Sequence, residues 1–132
     1  MCYCLKMRHT TRAIIIKDKK LLLVTGYGAS FYWSPGGGIE NNETSLLALR
    51  RELLEELGVQ VKSAKHYLSY IVEETQQKVD NFLVEITGEI KPSGEISETI
   101  WLSKDNFMNK DINVSVGLAK KLIPALIKDS FL

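Results

Sequence analysis

Cysteine is scarce in this chain, and its position narrows its use. The two thiols among 132 residues are Cys2 and Cys4, both at the extreme N-terminus, so no disulfide framework can staple the body of the fold. His9 lies nearby, but no second ligand pair is available to close a tetrahedral zinc site, and two reduced thiols are expected. Charge of one sign is lacking as well. A net charge of +1 gives no overall reason to expect nucleic acid or an anionic membrane as partner. No apolar run approaches the length that spans a bilayer. The first eight residues lack the apolar core of a secretory signal, so the expected compartment is the cytoplasm. Only three prolines are present; one of them, Pro124, falls inside an otherwise helical stretch.

What remains is ordinary for a soluble globular domain. An apolar share of 45% with 25% charged residues is enough to build a proper core, and 132 residues suit one domain over 1–132. There is no internal repeat, low-complexity tract or linker. Residues 13–16 and 21–24 are β-prone runs joined by a polar turn and predict a hairpin. Residues 26–34 form a Gly- and aromatic-rich loop. A helix is expected over 44–57, strands over 66–72 and 82–87 with a turn over 73–80 between them, a loop over 92–99, and a short strand over 100–102. A C-terminal helix over 115–128 should be interrupted or kinked at Pro124, which has no N–H to donate. Strands and helices mix without βαβ alternation, which predicts an α+β layered domain.

The helix over 44–57 carries the chemistry. At about 100° per residue, Glu52, Glu55 and Glu56 share one face. Leu46, Leu49, Leu53 and Leu57 form an apolar stripe, which Leu47 and Leu54 are expected to widen. Ser45 and Ala48 precede Glu52 on the acidic side and leave it little covered. Asn41, Asn42 or Thr44 can cap the N-terminus, and Gly58 is placed to end the helix in the left-handed conformation. Arg51 and Glu43 carry the charges to pair. An acidic helix face by itself is a solvated face. Upstream, however, Pro35-Gly36-Gly37-Gly38 can bend sharply and bring backbone carbonyls close to a ligand. Carboxylate and carbonyl oxygens are the ligands a hard divalent cation prefers.

Residues 37–59 also fit the spaced pattern G-x5-E-x7-R-E-U-x-E-E-x-G-U, with U a bulky aliphatic residue. The fit holds at Gly37, Glu43, Arg51, Glu52, Leu53, Glu55, Glu56, Gly58 and Val59. This stretch resembles the Nudix box, the signature of hydrolases that cleave a diphosphate linkage in nucleoside diphosphates joined to another group. The resemblance implies a mixed β-sheet sandwiched between helices and a requirement for Mg²⁺ or Mn²⁺. It implies metal ligands at Glu52, Glu55 and Glu56 and at the Gly36 carbonyl, with Arg51 orienting the carboxylates. Many relatives add a carboxylate from a later loop, for which Glu98 is preferred over Glu95, with Glu73 and Glu74 as weaker alternatives. Glu52 is the first candidate for the base.

Specificity is less legible. Gly37 and Gly38 are expected against the substrate phosphates, which Lys6, Arg8 and Arg12 can steer. Tyr27, Phe31, Tyr32 and Trp33 can stack on a base or pack under the loop, Trp33 being the best core candidate. Phe82 is a base-pocket or sheet-core residue, and Asn113 is a purine-edge contact or a helix cap. Thr75 and Gln76 stand where ADP-ribose and dinucleoside polyphosphate hydrolases carry proline and tyrosine. The chain therefore most resembles a (deoxy)nucleoside triphosphate pyrophosphohydrolase that removes damaged nucleotides. The alternatives are hydrolysis of ADP-ribose, a dinucleoside polyphosphate or another nucleoside diphosphate derivative, or a silent nucleotide-binding module. A small-molecule nucleotide is the expected partner, with the chain a monomer or homodimer.

Overall fold

The computed structural model describes residues 7–132; Cys2, Cys4 and Lys6 lie outside the described residues. A four-stranded mixed sheet has the order β4-β1-β6-β5, from Gly36–Gly38 (β4), Arg8–Ile14 (β1), Gln77–Thr87 (β6) and Gln60–Val72 (β5). Its β1–β6 pair is parallel and the others antiparallel. A smaller antiparallel sheet joins Ile16–Lys17 (β2), Lys20–Gly26 (β3) and Ile96–Leu102 (β7). Asp18 and Lys19, both at positive φ, make the tight β2–β3 turn.

Strand periodicity explains the layering. Successive side chains of a strand point to opposite faces, and β1 and β3 are buried on both. Ala13, Leu22 and Val24 join Leu49, Leu53 and Leu57 of helix α1 (Ser45–Leu57) in one core. Ile14, Leu21 and Leu23 join Leu118, Leu122, Ile123 and Leu126 of the C-terminal helical segment in the other. The uninterrupted run 21–24 thus packs α1 against one face and the C-terminal segment against the other, the α/β/α arrangement expected.

Several boundaries differ from the expectation. Strands β5 and β6 are longer than 66–72 and 82–87 because they pair along nearly their whole length. Their turn shrinks to the 3₁₀ turn Glu73–Thr75, closed at Gln76. β7 begins at Ile96, so the loop over 92–99 is shorter than predicted. The short helix α2 (Lys104–Met108) was not expected, although Ser103 and Asn106 form a reciprocal capping box. Pro124 does not break the final helix. A π-helical turn, Leu118–Leu122, precedes it, with the Ile123 N–H bonded to the Leu118 carbonyl, and α3 (Ile123–Lys128) continues. Leu47 and Leu54 do not widen the apolar stripe of α1; they are 55% and 53% exposed. Leu47 points roughly 160° away from Leu49 round the helix, and a flat sheet reaches only the narrow row of Leu49, Leu53 and Leu57.

Candidate active site

Helix α1 is fixed at both ends by the residues that its sequence offers. Thr44 Oγ1 accepts the Leu47 N–H at 3.2 Å. Gly58, at φ 66°, returns its N–H to the Leu54 carbonyl. Ser45 donates to Asp80 Oδ2 of β6 at 2.7 Å, and the same carboxylate receives Ser69 Oγ and faces His9 Nε2, each at 2.7 Å. Burial acts to raise the Asp80 pKa, but the bonds from Ser69, Ser45 and His9 outweigh it and hold the group low.

The glycine run lies beside this helix as strand β4. Gly36 pairs with Arg12 of β1, and a Cβ there would lie 2.0 Å from the Thr11 carbonyl oxygen, at a φ of 137°. Its N–H donates to Glu56 Oε1 at 2.8 Å. A Cβ on Gly37 would meet the Glu52 carboxylate at 2.6 Å. Bare backbone is therefore what lets both carboxylates come against β4. Glu52, expected to be little covered, has a side chain only 17% exposed, and Glu56 is largely withdrawn from water.

The charges are interdependent. Burial drives the Glu56 carboxyl up to about 7, opposed by the Gly36 N–H and by Arg12, while Glu52 and Glu55 push it further up. Burial is also the largest influence on the Arg12 guanidinium and lowers its pKa, with Glu56 acting the other way. Arg51 donates Nε and Nη2 to Glu43 at 2.8 and 3.0 Å, Nη1 to Glu52 at 2.9 Å, and Nη2 to the Gly38 carbonyl at 3.1 Å. Glu55 is more open, 3.5 Å from Arg51 and 59% exposed.

Two cavities meet at this point. A polar one of about 370 Å³ is lined by Arg8, Arg12, Gly36, Gly37, Gly38, Glu52 and Glu56, with Tyr27 and Trp33 at its side. A second, of about 350 Å³, shares Arg12, Tyr27 and Trp33; its surface is mostly apolar, from Phe31, Tyr70, Val72, Val79, Val116 and Leu118, with Ser34, Thr75, Gln77, Asn81 and Ser115 as polar members. Among the described residues no three His, Cys, Asp or Glu side chains stand together as a ready metal cage. The donor set nevertheless suits a hard cation: burial, with the neighbouring Glu52 and Glu55 carboxylates, raises the proton affinity of Glu56 despite Arg12, and oxygen donors so placed favour a bound positive charge.

Other residues singled out from the sequence lie elsewhere. Glu98, opposite Thr25 in β7, receives the Tyr32 hydroxyl, and neither residue lines either of these two cavities. Glu95 offers its backbone carbonyl to the Tyr27 N–H. Glu73 begins the β5–β6 turn, and Glu74 pairs with Lys120 at 2.6 Å. Phe82 packs in the α1 core with His66 against its edge. Asn113 is exposed, and its carbonyl accepts the Tyr32 N–H. Trp33 is both a core contact and a cavity wall. Sequence reasoning missed Tyr70 and Asn81. Period-two alternation within the β5 and β6 runs puts them on one sheet face, but only the strand register shows what that face meets.

Comparison with known proteins agrees with this geometry. The family model of the NUDIX domain matches residues 7–124. The chain belongs to the Nudix family. An 8-oxo-dGTP diphosphatase of Buchnera aphidicola subsp. Acyrthosiphon pisum (strain APS) is 35% identical over 72 residues, which span 52% of this chain and 58% of that protein. Among solved structures, a Nudix hydrolase family member from Chromobacterium violaceum superposes with a TM-score of 0.79 at 24% identity, covering 93% of this chain and 79% of that one. An ADP-ribose pyrophosphatase from Streptococcus suis 89-1591 gives a TM-score of 0.75 at 22% identity, covering 94% and 92%. These likenesses establish the Nudix fold. Among the described residues no helix is long and apolar enough to cross a membrane.

Proposed function

We propose that this Nudix protein is a divalent-cation-dependent pyrophosphohydrolase that splits a nucleoside di- or triphosphate derivative into a nucleoside monophosphate and a phosphorylated remainder. The observation that carries the reading is the juxtaposition of the two cavities. One places Glu52 and Glu56 opposite Arg8 and Arg12; the other, joined to it through Arg12, Tyr27 and Trp33, has the apolar and aromatic walls a base requires.

Arg8 and Arg12 offer positive charge to phosphate oxygens, and the guanidinium fork suits bidentate contact. Arg51 holds Glu52 in place by charge-assisted hydrogen bonds. Glu52 is the first candidate to accept a proton from the attacking water. Mg²⁺ or Mn²⁺ held by Glu52 and Glu56, with Glu55 and the Gly36 carbonyl, would supply phosphate neutralisation and a more acidic bound water. Glu98, tied to Tyr32 outside the cavity lining, is a weaker candidate for a further ligand than its sequence position suggests.

Within this class, a (deoxy)nucleoside triphosphate is the preferred substrate, with an oxidised purine nucleotide supported by the Buchnera relative. A phosphate-release screen over nucleoside triphosphates, their oxidised forms, ADP-ribose and dinucleoside polyphosphates, run with Mg²⁺ and then Mn²⁺, tests it. Turnover of a triphosphate to monophosphate and pyrophosphate is expected. Tight nucleotide binding with no turnover of any diphosphate compound would instead identify a silent binding module.

A further inference from the structure

Asn81 of β6 is fully buried, and it lines the apolar cavity. Its side-chain amide reaches the Leu68 carbonyl at 3.1 Å. A carbonyl can only accept, so the atom bonded to it is Nδ2, and the orientation of the amide is fixed. Oδ1 is then left as an acceptor, and it has no partner in the protein. Ser34, 2% exposed in the same cavity wall, has an Oγ that is likewise unpaired, although its backbone carbonyl receives Arg12. Buried side-chain polar atoms without partners are uncommon, and two of them belong to the lining of one cavity. Around them stand the flat or apolar Trp33, Phe31 and Leu118. Burial raises the Tyr70 pKa, and the Asn81 amide against its hydroxyl acts to lower it; that hydrogen bond therefore comes from Nδ2 and leaves Oδ1 open.

We infer that Asn81, assisted by Ser34, selects the base: the cavity takes a nucleobase that presents an N–H donor on the edge entering it, and that donor bonds Asn81 Oδ1. This rests on the pyrophosphohydrolase reading for the identity of the ligand as a nucleotide, but not on turnover. A base with an acceptor at the same place sets two lone pairs against each other in a site shielded from water, whereas one with a donor satisfies the orphaned oxygen. A site built around a hydrogen bond rejects the analogue that lacks it far better than an apolar pocket rejects a small change in size.

Matched nucleotides that differ in one donor test the inference. Suitable pairs are 8-oxo-dGTP with dGTP, where N7 changes from acceptor to N–H; dATP with its analogue lacking the 6-amino group; and dCTP with its analogue lacking the 4-amino group. The wild-type protein is expected to favour the donor-bearing member of at least one pair by about tenfold or more in kcat/KM, and Asn81→Leu to bring that ratio near unity. Ser34→Ala, which leaves the Leu68 contact intact, should reduce the ratio less. The corresponding monophosphates, titrated into cation-free protein and followed by NMR, supply a readout independent of turnover and of whether Asn81→Leu folds. Equal binding of both members of every pair by the wild-type protein overturns the inference, as does a preference that persists in folded Asn81→Leu. Nucleotide hydrolysis accompanied by equal binding would leave the pyrophosphohydrolase reading standing; donor-selective binding without hydrolysis would leave only the base selection.

Discussion

The Arg51 guanidinium joins Glu43, on the loop before α1, to Glu52, on the helix itself, and places a third contact on the Gly38 carbonyl. One planar side chain therefore sets the spacing between the loop, the helix and β4. Its bond to Glu43 is the main reason the Glu43 carboxyl is held below the ordinary range and the Arg51 pKa is raised. Arg51→Ala should lower kcat/KM by about tenfold or more, as loss of residues that orient metal ligands does. Arg51→Lys should recover only part of it, because an ammonium cannot hold three acceptors in a planar fork. Steady-state kinetics at saturating Mg²⁺ would show this as a fall in kcat; a change confined to KM would contradict the positioning role.

Glu52→Gln and Glu56→Gln should each reduce turnover by about a hundredfold or more, the scale on which a transition-state contact is felt. Glu52→Gln should leave the fold intact, since its carboxylate meets solvent at the polar cavity. Circular dichroism and single-turnover kinetics would check the two halves of this expectation. Full activity of both variants would remove these residues from the site.

The Glu56 carboxyl, raised to about 7, gives cation-free protein a particular pH dependence. Between its ordinary value near 4.5 and about 7, the native state keeps a proton that the unfolded chain has released. Stability therefore falls as pH rises across that window and stays reduced above it, by on the order of 3 kcal/mol. Thermal melts without divalent cation should show this decline between pH 5 and 8, and Glu56→Gln should flatten it and raise the midpoint at pH 8. Adding Mg²⁺ should restore the wild-type protein most at high pH and the variant much less.

Gly37→Ala and Gly36→Ala should fail differently. A Cβ on Gly37 meets a movable carboxylate at 2.6 Å, so the variant should fold and lose cation-dependent activity. A Cβ on Gly36 meets the Thr11 backbone at 2.0 Å in a positive-φ conformation, so that variant should lose stability first. Urea titration alongside an activity assay separates the two.

The acidic helix was legible because its determinants are local. The stripe of Leu49, Leu53 and Leu57, the Thr44 cap, Gly58 and the Arg51–Glu43 pair all lie within one helix and its flanks. The α+β layering was legible from the short β-prone runs and the absence of βαβ alternation. The apolar cavity was not, because Tyr70 and Asn81 reach it through β5–β6 pairing and Ser34 through a loop bridged to β3 at Val24–Trp33. The hairpin sets Tyr70 and Asn81 on one face, but the parallel pairing of β6 with the distant β1, which decides what that face meets, has no local signature. Tyr32, Phe82 and Asn113 were plausible by residue type, but Phe82 of β6 packs in the α1 core, Tyr32, bridged to Val114, packs against the C-terminal core, and Asn113 stays on the surface.

Gly117 gives the second cavity an adjustable wall. A methyl group there would press within 2.9 Å of Val72 Cγ2, where β5 ends and the C-terminal segment passes over it. Neither residue borders the compartment that holds Glu52 and Glu56. A single side-chain change at this crossing would reshape the apolar cavity while leaving the acidic compartment in place, so under the proposed function preference among nucleotides can drift in descendants of this chain without Glu52 and Glu56 being moved.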